Sequence, residues 1–306
     1  MGFTEGDVPD LSGRVYVVTG ANSGLGYETS RMLARRHAHV VMACRSQERG
    51  EHARDEIVRR DPQASLEVAR LDLASLTSIE RFVRAFAHER LDGLCNNAGV
   101  MAIPRRETDE GFEMQLGTNH LGPFALTAGL WSRLVATPGA RVVVVTSLMH
   151  RLGRVRFDDL MGVRRYGKWA AYGQSKLANL LFFYELDRRV ADAGVDVCVA
   201  AAHPGYAATN LQRVGPKMAG RPAVAKLASV ATRILAQDAG AGALPQLRAL
   251  AGPGVRSGDF FGPATLEVWG APVPVSASSA ARDPNTARDL WDVSERLTGA
   301  RFPGLE

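Results

Sequence analysis

The stretch RVYVVTGANSGLG, residues 14–26, constrains this chain more than any other. An apolar strand over 14–20 runs unbroken into a turn with glycines at 20, 24 and 26, and the turn opens a helix over about 24–37. A strand that passes through such a turn directly into a helix is the start of a βαβ unit. The same alternation then repeats. Strands are expected at 39–45, 65–73, 91–99, 140–147 and 195–205, with helices at about 47–60, 75–89, 109–135 and 170–193 between them. Near-continuous apolar runs such as VVVV at 142–145 suit strands covered on both faces.

These features predict an α/β fold: a doubly wound parallel sheet (Rossmann fold) of about seven strands with helices on both faces. The seventh strand is expected at GDFFG (258–262), after helical spacing over 206–250. A Pro/Ala/Ser-rich connector (271–284) and a last helix near 285–298 follow. No composition break divides the 306 residues, so one domain is expected, with a C-terminal extension over 263–306.

Bulk properties narrow the function. A net charge of +5 comes mostly from dispersed arginines on helix faces, with no run of like charge. Nucleic acid is therefore not expected as a partner. The opening MGFTEGDVPD lacks the apolar core of a signal peptide, and no stretch of about 18 apolar residues offers a membrane span. A cytoplasmic protein is the expectation. Cys44, Cys95 and Cys198 are odd in number and lie in apolar runs, which reads as reduced core cysteines. No metal site is expected.

TGANSGLG (19–26) suits a dinucleotide pyrophosphate. Gly20, Gly24 and Gly26 allow a tight turn and close backbone approach, and the helix beginning near Leu25 offers free N–H groups. Asn22 and Ser23 either donate to phosphate or fix the turn. Asp72 and Leu73, ending the third strand, would meet the adenine, although Asp72 also suits a helix N-cap. Asn97, Ala98 and Gly99 end the fourth strand at the edge where such folds bind ligands, and a plain turn is the competing explanation.

The chemistry is expected at Tyr172 and Lys176, four residues apart on one face of a helix. A phenol titrates near 10, and a neighbouring ammonium favours its anion. Bringing it close to neutrality takes roughly 4 kcal/mol of differential stabilisation, at about 1.4 per pKa unit. Ser147 ends the fifth strand, placed to hold a substrate carbonyl that Tyr172 protonates. Asn119 puts a poor helix former inside the 109–135 helix, which suggests burial toward the site.

TGANSGLG, NNAG, Asn119, Ser147, YGQSK and HPG (203–205), in this order, resemble the short-chain dehydrogenase/reductase family from about residue 12 to 299. The resemblance implies that Tyr172 is the general acid/base and that Lys176 holds the nicotinamide ribose and lowers the tyrosine pKa. It implies that Ser147 orients the carbonyl and that Asn119 supports a proton relay. Pro204 and Gly205 would begin the segment over the nicotinamide, with Thr209 near its carboxamide. The 25-residue separation of Ser147 and Tyr172 is wider than the family's usual dozen. The inserted residues resemble the retinol dehydrogenase and WW-domain oxidoreductase branch, as do ACRS and HPGYAATNL. Members of that branch usually prefer NADP(H) and act on lipophilic alcohols or carbonyls. Family members are often dimers or tetramers that pair the helices at 109–135 and 170–193, so a homo-oligomer is expected.

The cofactor reading rests on HVVMACRS (39–46). Cys44 stands where an NAD-specific site carries an acid, and Arg45 adds a planar cation suited to a 2′-phosphate. NADP(H) is therefore the expected cofactor, unless Arg45 merely caps the strand in solvent. The substrate, a bulky apolar small molecule, would lie among residues of 148–169 and 206–225. Met149, Trp169 and Tyr206 are the leading candidates, with Leu148, Leu211 and Met218 beside them. His150, beside Ser147, either touches substrate or has only a packing role. A dinucleotide sensor without catalysis and a reductase of activated C=C bonds are the alternatives.

Overall fold

A computed structural model describes residues 2–205 and 238–305. These form one eight-stranded sheet in the order β3-β2-β1-β4-β5-β6-β7-β8. Strands β1 (Val15–Thr19), β2 (His39–Cys44), β3 (Ser65–Arg70), β4 (Gly93–Asn96), β5 (Ala140–Val145), β6 (Val197–Ala202) and β7 (Phe260–Thr265) are parallel. Strand order reverses between β1 and β4, which opens a crevice at the carboxyl ends of these two strands.

Alternate residues of each strand serve opposite layers. Val17, Val41, Val142, Val144 and Val199 face a core completed by α3 (Leu76–Ala85), α5 (Gly122–Gly129) and α7 (Lys168–Ala193). Tyr16, Val18, Val40, Met42 and Val143 face the other layer, with α1 (Gly24–Ala34), α2 (Gln47–Arg60) and α8 (Ala239–Ala251). This is the doubly wound α/β sheet read from the sequence. The C-terminal helix α9 (Pro284–Thr298) lies over the outer side of α5 and α7. Trp291 and Phe302 close an aromatic cluster with Phe124 and Phe182, and the Arg189 guanidinium lies 4.4 Å from the Trp291 ring centre.

The structure corrects the expected elements in two places. Residues 269–274, assigned largely to a connector, form β8 (Trp269–Pro274), which pairs antiparallel with β7. Pro272 and Pro274 masked it, but an edge strand tolerates residues that cannot donate to a ladder. The helix expected over 109–135 is broken. A turn at Gly111 (φ +82°) joins a bridge between Glu107 and Glu113, and α4 (Met114–Leu116) runs into a π-turn (Gly117–Leu121) before α5 and α6 (Trp131–Val135).

Candidate active site

The crevice is built first by β1 and its turn. Gly20 (φ +69°) and Gly24 (φ +56°) take left-handed conformations. A Cβ on Gly26 would stand 2.5 Å from the Gly20 carbonyl oxygen and 2.7 Å from Asn97 Nδ2, so only glycine lets α1 sit this close to the strand ends. Ser23 stands at the N-cap of α1 without a side-chain capping bond, whereas Ser46 caps α2 and Ser75 caps α3. The α1 N-terminus thus keeps N–H groups for an anion, and the residues present fit a dinucleotide pyrophosphate. The Asn22 and Ser23 side chains are partly buried and do not hold the turn.

The turn is held instead by a residue that the sequence did not single out. Thr19 Oγ1 donates to the Cys95 carbonyl (3.1 Å) and accepts from the Asn97 and Ala98 N–H groups (3.0 and 2.9 Å). Asn97 Nδ2 donates to the Thr19 carbonyl (2.7 Å). Asn97 therefore has a structural employment that sews β4 to β1. Its only sequence signal was a hydroxyl residue (Thr19) at the strand end before glycine. Asp72 accepts from the Ala74 N–H (3.0 Å) in a local turn, and Ser75 is the α3 cap. Leu73 is buried, and its carbonyl abuts Gly122.

At the end of β2, Cys44 is fully buried beside the Ala21 and Asn22 backbone N–H groups. Burial pushes its thiol up to about 11, so it is neutral. Arg45 is exposed and makes no ion pair with a described residue. All three cysteines are unpaired.

Tyr172 and Lys176 rise from the first turns of α7, both buried. The Tyr172 hydroxyl neighbours Ser147, which follows β5. Lys176 Nζ donates to the Val145 carbonyl (3.1 Å) and lies 5.9 Å from the Tyr172 ring centre. Asn119 sits in the π-turn with no exposure. Its Nδ2 donates to the Val100 carbonyl and to Ser175 Oγ (both 2.9 Å), and its Oδ1 accepts from the Val100 N–H (2.7 Å). A Cβ on Gly99 would lie 2.9 Å from Asn119 Oδ1 and 3.6 Å from Lys176 Nζ. Asn119, Ser147, Tyr172 and Lys176 are thus gathered at one edge of the sheet, beside Gly99.

The expected electrostatics is not what the site displays. Burial pushes the Tyr172 phenol up to about 12, and the neighbouring Ser147 side chain only partly offsets this. Burial also holds Lys176 down to about 8. The ammonium points to Val145 and is itself desolvated, so it does not lower the phenol here. Acidifying Tyr172 requires a further positive charge at this edge.

Trp169 is half exposed and stands edge-on to Tyr172, with ring centres 6.4 Å apart, and partly buried Met149 follows Ser147. His150 is turned inward: Nδ1 donates to the Ser147 carbonyl (2.8 Å) and Nε2 accepts from the Ser278 N–H (3.4 Å). It pins the turn after Ser147. Gly205 (φ +64°) donates to His203 Nδ1 (3.2 Å), and a Cβ on it would press to 2.4 Å from the Val268 carbonyl oxygen of the β7–β8 turn. Pro204 lies between these two residues. Thr209, Tyr206, Leu211, Met218 and the 206–225 region lie outside the described residues.

Glu113, Gln115 and Tyr166 were also missed. Tyr166 Oη donates to the Ile103 carbonyl (2.9 Å), and Gln115 Nε2 donates to Tyr166 Oη (2.9 Å) and to the Lys168 carbonyl (3.0 Å). Glu113 lies 3.2 Å from the Tyr166 hydroxyl. These bonds fasten the inserted residues to the loop after β4, over about fifty residues of chain.

A doubly wound sheet with a glycine turn at its switch point and a Ser/Tyr/Lys/Asn cluster beside it defines a nucleotide-dependent oxidoreductase class. A family model for short chain dehydrogenase matches residues 14–219. Retinol dehydrogenase 12 of Mus musculus is 39% identical over 95% of this chain and 88% of its own. Retinol dehydrogenase 14 of Homo sapiens is 37% identical over 96% and 89%. Among solved structures, an uncharacterized protein from Mycobacterium paratuberculosis superposes with a TM-score of 0.81 at 41% identity, over 99% of this chain and all of that one. A Beutenbergia cavernae protein assigned as an NAD(P)-dependent gluconate 5-dehydrogenase, solved with NADP at low occupancy, gives 0.59 at 26% identity over 79% and 91%. The chain belongs to the short-chain dehydrogenase/reductase family.

Proposed function

We propose that this protein is an NADP(H)-dependent oxidoreductase that transfers a hydride between the nicotinamide and a carbonyl or secondary alcohol of a bulky apolar small molecule. The observation that carries the reading is the buried Tyr172 side chain, next to Ser147 and sharing a helix face with Lys176. In the reducing direction the Ser147 hydroxyl donates to the substrate carbonyl oxygen and the Tyr172 O–H delivers its proton there. In the oxidising direction the Tyr172 phenolate takes the alcohol proton. Lys176 would hold the ribose hydroxyls, and Asn119 fixes Val100 and Ser175 around the cluster. A nicotinamide cofactor would supply or accept the hydride and, when oxidised, would add positive charge that favours the Tyr172 phenolate against the burial that holds it near 12.

Neutral Cys44 and an exposed Arg45 that makes no ion pair with a described residue support the preference for the 2′-phosphate. Trp169, Leu152 and Leu266 are exposed apolar side chains near Ser147 and the β7–β8 turn, in keeping with an apolar substrate and with relatives named for retinol. A homo-oligomer paired through α5 and α7 would have to use surface left free by Trp291 and Phe302. The test is a panel of ketones, aldehydes and alcohols, with initial rates followed by cofactor absorbance. Turnover of apolar carbonyls, at least tenfold better with NADPH than with NADH, is expected. Equal or better rates with NADH would overturn the cofactor reading. Turnover only of activated C=C bonds would overturn the substrate class.

A further inference from the structure

We propose that His39, Glu67 and His88 form a binding site for a divalent transition-metal ion of the zinc class, on the sheet edge opposite the active site. His39 opens β2 and pairs in register with Ser65, so Glu67 stands two residues further along the same face of β3. His88 reaches this face from the connection after α3. Three elements therefore deliver two imidazoles and a carboxylate whose ligand atoms all lie within 4.8 Å of one another.

The details favour coordination over a plain ion pair. His39 Nδ1 bonds Ser65 Oγ at 2.7 Å. With Nδ1 donating there, Nε2 presents a bare lone pair, which is the arrangement that ligating histidines take. That Nε2 atom is shielded from solvent and has no hydrogen-bond partner among the described residues, yet it lies 3.8 Å from Glu67 Oε2. His88 Nε2 lies 2.8 Å from Glu67 Oε1, and the two rings stand 4.9 Å apart at 48°. Bonds of about 2.0–2.1 Å in a tetrahedral site hold ligand atoms roughly 3.3 Å apart. Side-chain shifts of about an ångström would close the cluster. Two imidazoles with one carboxylate suit zinc and its neighbours rather than magnesium or calcium, which take oxygen shells. The partly exposed face leaves a fourth position for water.

The role follows from the place. β3 is an edge strand with one neighbour, and the ion would tie it to β2 and to the α3–β4 connection. Tyr172 and Ser147 stand at the other edge, so the hydride reaction does not involve this ion. The ligands are 28 and 21 residues apart and come from three elements, which hid them from motif reading.

Calorimetric titration of the full-length, tag-free, EDTA-treated protein with zinc chloride tests this. One ion per chain with a micromolar or tighter Kd is expected, with a rise in Tm and unchanged NADPH-linked turnover. His39→Ala and His88→Gln should each remove this binding, while His52→Ala, an exposed histidine on α2, should keep it. Ser65→Ala should weaken it by about tenfold, because it frees the His39 ring without removing a ligand. No binding by the parent protein, or equal binding by a His39→Ala/His88→Gln double variant, would overturn the site. Loss of turnover on removal of zinc would overturn the structural role.

Discussion

The two ends of the cofactor crevice are built in opposite ways. At the catalytic end Tyr172, Lys176 and Asn119 are buried, and two of them are tied to backbone: Lys176 to Val145 and Asn119 to Val100. At the β2 end a neutral, buried Cys44 is followed by one exposed arginine that makes no ion pair with a described residue. The chemistry is thus embedded in packing, where a change disturbs several elements at once. In the proposed function, cofactor choice rests on a surface residue, Arg45, that can change without repacking anything. A fold arranged in this way can keep its reaction while its cofactor preference drifts.

The largest expected effect lies at the buried end. Tyr172→Phe removes only the hydroxyl, so packing survives and proton transfer does not. Turnover should fall by about a thousandfold, in keeping with a positioned acid–base group. NADPH affinity, read by fluorescence titration, should stay within about threefold. Near-normal turnover would remove Tyr172 from the mechanism and with it the contrast between the two ends.

The parts of the molecule that were legible in sequence share a physical property: they are local. The strand runs, the glycine turn and the four-residue spacing of Tyr172 and Lys176 all follow from short-range geometry. Asn119 was read as buried because it offends helix propensity, and the π-turn around it is the form that the offence takes. What sequence reading lost was long-range or disguised. Tyr166 meets Ile103 across 63 residues, and the Thr19 hydroxyl gains its importance only when β4 lies alongside. β8 was hidden by prolines that an edge strand accepts. The electrostatics of Tyr172 and Lys176 was misjudged for a related reason: desolvation depends on everything packed around a group, and spacing records only its neighbour on the helix.

That desolvation is itself measurable. Lys176 titrates near 10.5 in an unfolded chain and about 8 in the folded one. Between these values the unfolded state binds more protons, so stability rises with pH across this window and is lost as pH falls toward 8. Tyr172, raised to about 12, works in the opposite direction only above 10. The buried thiols of Cys44, Cys95 and Cys198, raised by desolvation, also work in the opposite direction above about 9, so the Lys176 contribution is read as a difference. In urea unfolding of the cofactor-free protein, stability relative to Lys176→Met should rise by up to a few kcal/mol from pH 8 to 10, at about 1.4 per pKa unit. Parallel curves for the two proteins would show that the catalytic end is less dry than its packing indicates.

The smallest effect belongs to the exposed end, and it is the sharpest measure of the difference. Arg45→Ala removes charge-assisted hydrogen bonds to a 2′-phosphate, each contributing about 1.5–3 kcal/mol, and touches no packed element. The KM for NADPH should rise by about ten- to a hundredfold, while the KM for NADH, the turnover number and Tm change little. Its salt dependence should fall as well, because an exposed cation acts through a field that electrolyte screens. If Arg45→Ala instead lowered turnover with both cofactors equally, the arginine would be coupled to the catalytic end. If the KM for NADPH did not move, another side chain would be reading the phosphate, and selectivity would not reside in this one exposed residue.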